Sequence, residues 1–318
     1  MTADRFGAIA NGEYTALASI RDDRAHRLEQ SAPDVDPGNA PAEPHPAAGA
    51  APSTGGTAPS SASASARLGW RPIPPPQHGA WAFLIVPVLC GFAVAGATLA
   101  GWLFLVAWVC AYPVGYYLGR GLTARVRRGS WTRLARRERS RAVPWAVITA
   151  ALGLPLALTR PWLIGVAALL ALLWGLGLWV AARRGERSLA NDLMLVAQAA
   201  VALPLSVAVV AGVDALSGAL AGPTLQATAV VAAYLAGSVL HVKSLLREAG
   251  NATYRRANVI WHGALVVGSG LLSPWWLVGT APALLRAILL RPGLRPGVIG
   301  GVETIVAVLV VVAAFLAV

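Results

Sequence analysis

The sequence predicts an all-α, polytopic membrane helical bundle with about nine transmembrane helices. Of its 318 residues, 56% are hydrophobic and only 13% are charged, whereas soluble domains carry about 25% charged residues. The mean hydropathy is +0.61. From about residue 80 onward, apolar runs of membrane-spanning length follow one another with short breaks. A buried soluble core would need polar outer faces, which these runs lack.

The predicted spans are separated by charged or Gly/Pro-containing breaks. Pro144, Pro155, Pro274 and Pro282 lie in or beside the third, seventh and eighth spans, so seven or eight spans are the alternative count. The spans are residues 80–98, 101–118, 143–158, 162–181, 190–211, 225–245, 259–273, 275–291 and 297–318.

The basic residues predict the orientation of the bundle. With the N-terminus inside, every Lys and Arg except Arg160 lies in the tail or at an inner loop, as the positive-inside rule requires. The inner loop at 119–141 holds nine Arg and is typical of an interfacial amphipathic segment. The eighth connection is predicted to hold Arg286 with two further arginines. Nine spans place the C-terminus outside.

The net charge of +12 predicts the kind of partner. Anionic lipid headgroups at the inner Arg loops are sufficient partners for these anchoring charges, and no nucleic acid is expected. Cys90 and Cys110 lie in the first two spans without metal or redox spacing. The strong excess of Arg over Lys, together with abundant Ala, indicates a high-GC bacterial genome. The predicted location is therefore the bacterial plasma membrane.

The chain divides into a tail and a membrane domain. Residues 1–69 are predicted to be a disordered cytoplasmic tail, and residues 70–318 the transmembrane domain. Residues 31–66 are mainly Pro, Ala, Ser and Gly, with almost no large apolar side chains. Burial in such a segment cannot offset the entropy lost on ordering.

Four groups of polar residues interrupt the apolar background, and the predicted threading brings all four to the inner side. Ionisable groups at the edge of a membrane cost several kcal/mol unless they are paired or hydrated, so their clustering favours a shared polar cavity. The candidate cavity or binding residues are Gln77, His78, Asn191, Asp192, His241, Lys243, Ser244, Arg247, Glu248, Asn251, Arg255 and His262.

Helical spacing predicts how the polar residues between His241 and Asn251 are arranged. His241 and Glu248 are expected to share one face of the sixth span, and Lys243 and Arg247 another. Gly250 then fits a C-cap position, and the loop begins with Asn251.

Each group also has a purely structural interpretation. Asp192 is favourable near a helix start, where it interacts with the helix dipole. His78 and His262 lie close to tryptophans and are typical of interfacial anchors. Arg247 and Arg255 are typical of inner loops. Because the histidines lack metal-ligand spacing, no metal is predicted and the cofactor stays unknown.

Three motifs resemble the YwiC-like family of bacterial membrane proteins, over about residues 70–318. They are PPPQHGAWAFLIVPVLCG, ERSLANDLMLVAQAAVALPL and GSVLHVKSLLREAGNATYRRANVIWH. The resemblance implies a membrane domain and no particular activity.

The architecture is also similar to UbiA-type prenyltransferases, which have nine spans, an inner N-terminus and an active site open to the cytoplasm. These enzymes have a Pro-x-x-x-Gly sequence in the first span and a Leu-Pro step in the fifth. Residues Pro87 to Gly91 and the Leu203-Pro204 pair match these two features. Their paired Asp-rich motifs, which hold Mg²⁺ and a diphosphate, are replaced here by single acids, Glu138 and Glu248. One carboxylate per site is too few for such a cluster. The resemblance therefore implies the fold with absent or changed metal chemistry.

Three functions are compatible with these observations. The first is binding of an anionic lipid or isoprenoid at a cytoplasmic-facing polar cavity. The alternative is a prenyl or lipid transferase, for which Glu138, Asp192 and Glu248 would supply the Mg²⁺ ligands or base. The second alternative is a small-solute transporter. Transport sites commonly lie at span midpoints, which here are apolar apart from Gln198 and Ser206, so the sequence favours binding.

Overall fold

A computed structural model of the protein describes residues 72–75, 80–184, 189–212 and 219–318. The predictions for the tail, Gln77 and His78 lie outside these residues. Within them the chain forms only helices, which confirms the all-α prediction. In chain order these are α1 (Ala80–Ala95), α2 (Leu99–Arg128), α3 (Arg133–Thr159), α4 (Trp162–Arg184), α5 (Leu189–Ala211), α6 (Gly222–Leu246), α7 (Ala252–Leu272), a 3-10 turn (Pro274–Trp276), α8 (Leu277–Leu289) and α9 (Pro296–Ala317).

Six of the described helices are long and apolar enough to cross a membrane, namely α2 to α6 and α9. The apolar part of α1 is shorter, and α7 begins with a charged first turn and a half. With 13 residues, α8 measures about 20 Å, less than the hydrocarbon thickness of about 30 Å. Large apolar side chains such as Leu172, Val267 and Ile305 are exposed around the bundle. The chain is a multi-pass membrane protein.

The core lies where α6 meets α1, α5 and α9. Small residues let these helices approach closely. A Cβ at Gly91 of α1 would overlap Ser206 Oγ of α5, whose hydroxyl donates to the carbonyl of Val88 at 3.2 Å. A Cβ at Gly279 of α8 would lie 2.6 Å from the Cα of Val310 in α9. Both helix contacts therefore depend on the absence of a side chain.

The segment predicted as the inner loop 119–141 is helical except at residues 129–132, so its prediction as a loop was wrong. The second helix continues to Arg128, turns at Gly129 with φ of +66°, and α3 begins after Thr132, whose side chain accepts a hydrogen bond from the Ala135 amide at 3.1 Å. Arg, Leu and Ala favour helix, while Gly129 and Thr132 provide the stop and the start. At 30 residues, α2 is about 45 Å long, which exceeds the membrane core.

A buried acid and a Pro-rich strap fasten this α2–α3 hairpin. Glu138 lies 3.3 Å from Arg141 Nη1 and 3.8 Å from Arg120 Nε. Upstream of α1, the carbonyl of Ile73 accepts hydrogen bonds from Tyr117 Oη at 2.9 Å and Trp145 Nε1 at 3.0 Å. This Pro-rich strap, residues 72–75, therefore bridges α2 and α3.

Candidate functional site

Polar residues gather at the end of the bundle where α6 and α8 finish and α5, α7 and α9 begin, which we call the polar end. Ser238, His241, Lys243 and Ser244 of α6 are buried there. His241 and Lys243 are two residues apart and therefore face opposite sides of the helix. The sixth helix thus separates two polar clusters.

The first, the Asp192 cluster, joins α5 to α6 and consists of Asp192, Lys243 and Arg247. Lys243 Nζ lies 2.8 Å from Asp192 Oδ2, and Arg247 Nη1 lies 3.9 Å from the same oxygen. The prediction that Lys243 and Arg247 share a face is confirmed. Asp192 also lies in the first turn of α5, where a negative charge is favourable.

The Asp192–Lys243 pair is expected to contribute to stability. Lys243→Met should lower the free energy of unfolding by about 1–3 kcal/mol, because it deprives a half-buried carboxylate of its nearest partner. Adding Asp192→Asn should then cost less than it does alone, with a coupling of about 0.5–3 kcal/mol. Titration with a denaturing detergent measures both, and exposed Arg255→Met is the matched control. Additive losses would contradict the pairing.

The second, the His–Arg–Glu cluster, lies on the other side of α6. Asn258 of α7 bridges two histidines there. Its Nδ2 lies 3.2 Å from His241 Nδ1, and its backbone carbonyl lies 2.8 Å from His262 Nδ1. The two imidazole rings are 6.2 Å apart, centre to centre, and meet edge to face. Two of the three predicted histidines therefore come together.

Arg286 of α8 and Glu303 of α9 complete this cluster as an ion pair. Arg286 Nη2 donates to Ser238 Oγ at 2.9 Å, and the guanidinium lies over the ring of Tyr234, 5.6 Å from its centroid. Glu303 Oε1 is 3.8 Å from His241 Nε2. The cluster therefore ties α6, α7, α8 and α9 together.

Sequence reasoning missed most of this second cluster. The assignment of Arg286 to an inner loop was wrong, because the residue lies within α8 and is only 3% exposed. Asn258, Ser238 and Tyr234 carried no signal of their own. Glu303 did, because it is the one charged residue in the apolar sequence of α9, and an acid inside a span usually has a buried partner.

The other predicted residues lie outside both clusters. Ser244 Oγ donates to the carbonyl of its own helix at His241, 2.8 Å away. Asn251 donates to Glu248 at 3.2 Å and caps α7, because its Oδ1 accepts from the backbone amides of Thr253 and Tyr254. Arg255 is exposed. Asn191 lies in α5, and its side chain is outside the described residues.

Two predictions about the end of α6 were wrong. The helix ends at Leu246 with Arg247 as its right-handed C-cap, so Glu248 does not continue the face of His241 and Gly250 is not the cap. Asn251, which caps the start of α7, lies only five residues after Leu246. The connection between the two helices is therefore too short for another turn of α6.

An apolar groove of about 350 Å³ runs between α6 and α7, beyond the His–Arg–Glu cluster. Trp261 closes one end of the groove, and its indole N–H donates to the carbonyl of Ala233 at 2.8 Å. Exposed Gly268 and Leu272 open it sideways. Its lining includes Ala229, Val230, Ala233, Trp261, Leu265 and Gly268.

The acids that a transferase would need do not fit a Mg²⁺–diphosphate site. Glu138 pairs with Arg141, Asp192 with Lys243, and Glu248 with Asn251. Such a site needs several carboxylate oxygens on one metal.

The fold, together with the ion pairs at its polar end, defines a multi-pass α-helical membrane protein with an ionic cluster inside the bundle. The family described as YwiC-like protein matches residues 74–207. The uncharacterised protein YwiC of Bacillus subtilis (strain 168) is 28% identical over 230 residues, which cover 67% of this chain and 84% of the relative. Residues 74–207 are therefore similar to the YwiC-like family. No solved structure matches it.

Proposed function

We propose that this protein binds an anionic lipid, either a phospholipid or an isoprenoid phosphate, at the polar ends of α6 and α7. The acyl or isoprenoid chain lies in the groove between these helices. The supporting observation is that one helix pair carries both an apolar groove open to the membrane and exposed arginines at its polar end. In a bacterium the membrane is the plasma membrane, and the polar end faces the cytoplasm.

Exposed arginines provide the headgroup contact. Arg255 and Arg256, in the first turns of α7, are exposed, and the side chain of Arg247 is 46% exposed although it lies 3.9 Å from Asp192. Guanidinium groups bind phosphate with paired, charge-assisted hydrogen bonds. Trp261 is six residues beyond Arg255, or about 9 Å along the helix. The proposal places the phosphate at these arginines and the lipid chain, passing around α7, in the groove.

The buried clusters are poorer headgroup sites than these arginines. His241, His262 and Arg286 are 0–3% exposed, and Arg286 and Lys243 already pair with carboxylates. A headgroup entering either cluster would have to break these pairs. The proposal therefore moves the contact from a shared polar cavity to the surface beside it.

The α2–α3 hairpin supports the proposed orientation. Arg125 and Arg139 lie over the ring of Trp131, 4.6 and 5.3 Å from its centroid, and the exposed Arg133, Arg136 and Arg137 lie nearby in the chain. Each arginine near an anionic leaflet contributes about 1 kcal/mol of attraction. We propose the hairpin at the cytoplasmic surface, with nine membrane-inserted helices and the C-terminus outside.

Native mass spectrometry of the full-length protein, purified in mild detergent, tests the lipid site. We expect retained anionic lipid in the wild type. Arg255→Gln combined with Arg256→Gln should weaken retention about 30-fold, because two arginine–phosphate contacts of about 1 kcal/mol each are lost. The control is Arg291→Gln with Arg295→Gln, an exposed basic pair before α9. Equal losses in both variants, or no anionic lipid in the wild type, would refute the site.

A second candidate, small-solute transport, is favoured by the ionisable residues inside α8 and α9, since such residues mark many transport pathways. It predicts solute flux in proteoliposomes that survives the double substitution at Arg255 and Arg256 but not Glu303→Gln. The absence of flux with a stable, lipid-loaded protein would favour binding alone.

A further inference from the structure

The His–Arg–Glu cluster contains hydrogen-bonding atoms that suit two protonation states of one imidazole. We infer that His241 is a proton-binding site inside the membrane domain, with Asn258 and Glu303 accommodating the added proton. The inference uses residues away from the proposed lipid site, so either can fail without the other.

With the Asn258 amide oriented as it is in the structure, the neutral form of His241 has one tautomer that fits its surroundings. An amide nitrogen can only donate, so Asn258 Nδ2, 3.2 Å away, makes His241 Nδ1 an acceptor. The imidazole proton then resides on Nε2, which faces Glu303 Oε1 at 3.8 Å. For His262 the logic is reversed, because a backbone carbonyl at 2.8 Å makes its Nδ1 the donor.

For the protonated form of His241, the side-chain oxygen of Asn258 is available as a hydrogen-bond acceptor. Asn258 is 1% exposed, and its Oδ1 is buried without a hydrogen-bond partner. A half-turn of the side-chain amide exchanges Oδ1 and Nδ2, so that Oδ1 accepts from a protonated His241 Nδ1. The proton comes from hydronium, which leaves as water, and no covalent bond to carbon or nitrogen breaks.

Glu303 supplies the counter-charge, which it shares with Arg286. Three groups face His241: His262 from α7, Arg286 from α8 and Glu303 from α9, while Tyr234 of its own helix lies against Arg286. Arg286 opposes an added positive charge on His241, and Glu303 Oε1, 3.8 Å from His241 Nε2, offsets it. Asp192, Lys243 and Arg247 lie on the far side of α6.

A proton suits this place better than a larger ligand. His241, His262 and Asn258 are 0–1% exposed, so an ion or solute would have to open the bundle, whereas a proton moves along hydrogen bonds. Among the described residues, no three His, Cys, Asp or Glu side chains are placed to hold a metal. The site therefore differs in kind from a metal centre.

Nitrogen-15 NMR of histidine-labelled, full-length protein in lipid bilayers tests the inference. Signals are assigned with His241→Gln and His262→Gln. At the alkaline end of the range, His241 should show the Nε2–H tautomer and His262 the Nδ1–H tautomer. On acidification of the folded protein, both nitrogens of His241 should become protonated.

Two substitutions should move this transition in opposite directions. Asn258→Asp can only accept from Nδ1, so it should raise the pH of the transition by at least about one unit, and Glu303→Gln should lower it by a similar amount. Asp192→Asn, on the far side of α6, should leave it in place. An Nδ1–H tautomer for His241, no transition while the protein is folded, or a transition indifferent to both substitutions would overturn the inference. The wild-type tautomers and the wild-type transition decide the matter even if a variant fails to fold.

Discussion

Glu303→Leu is expected to lower the free energy of unfolding by about 3 kcal/mol, the largest loss of any single substitution in the polar end. It leaves the guanidinium of Arg286, only 3% exposed, without its carboxylate. Arginine cannot discharge by losing a proton, and breaking one side of a buried ion pair typically costs about 3–5 kcal/mol. Unfolding in mixed micelles, followed by circular dichroism, measures the loss.

The double variant Arg286→Met, Glu303→Leu is the decisive comparison. Replacing both partners by apolar side chains removes the uncompensated charge, so stability should return close to that of the wild type. Glu248→Leu, at the exposed turn beside Asn251, should change stability by no more than about 0.5 kcal/mol. A double variant as unstable as Glu303→Leu would show that the ion pair is not what the cluster depends on.

Gly279→Leu is expected to cost about 3 kcal/mol, at the upper end of the range for overpacking. The atoms that its side chain would meet are the Cα and backbone nitrogen of Val310, 2.6 and 2.9 Å from an ideal Cβ. Backbone cannot move aside as a side-chain tip can, so α8 and α9 must separate. Because Arg286 and Glu303 lie on these two helices, the separation also strains their ion pair.

Gly300→Leu is the matched control for this packing effect. Gly300 lies in α9, and nothing lies within 4 Å of a Cβ built there. The same change should therefore leave the melting temperature nearly unaltered, whereas Gly279→Leu should lower it clearly. Equal shifts would show that the α8–α9 contact is looser than the structure indicates.

The fold was largely predictable, because each long apolar run becomes a helix. The run from 225 to 245 corresponds to α6, and that from 297 to 318 to α9. The exception is residues 119–141, where charge was taken to mean loop. Arginine is a good helix former, and Glu138 pairs with Arg120 across the hairpin and with Arg141 within α3. Hydropathy marks where the membrane ends, not where a helix ends.

The site was predictable only within single helices. Spacing along α6 was enough to place Lys243 and Arg247 on one face. The order of helices around the bundle is not written in one chain, so their shared partner Asp192, and the meeting of His241 with His262, required the structure. The isolated acid Glu303 was a readable signal, and its partner Arg286 was obscured because it was counted as an anchoring charge.

Photo-crosslinking tests the proposed lipid site most directly. Full-length protein in vesicles containing a phosphatidylglycerol with a diazirine on its acyl chain is irradiated, and the modified peptides are mapped. We expect adducts concentrated in residues 229–233 and 261–272, and greatly reduced by Arg255→Gln with Arg256→Gln but not by Arg291→Gln with Arg295→Gln. Adducts spread evenly over the exposed outer faces of α4, α7 and α9, and unchanged by the Arg255 and Arg256 substitutions, would contradict a lipid site between α6 and α7.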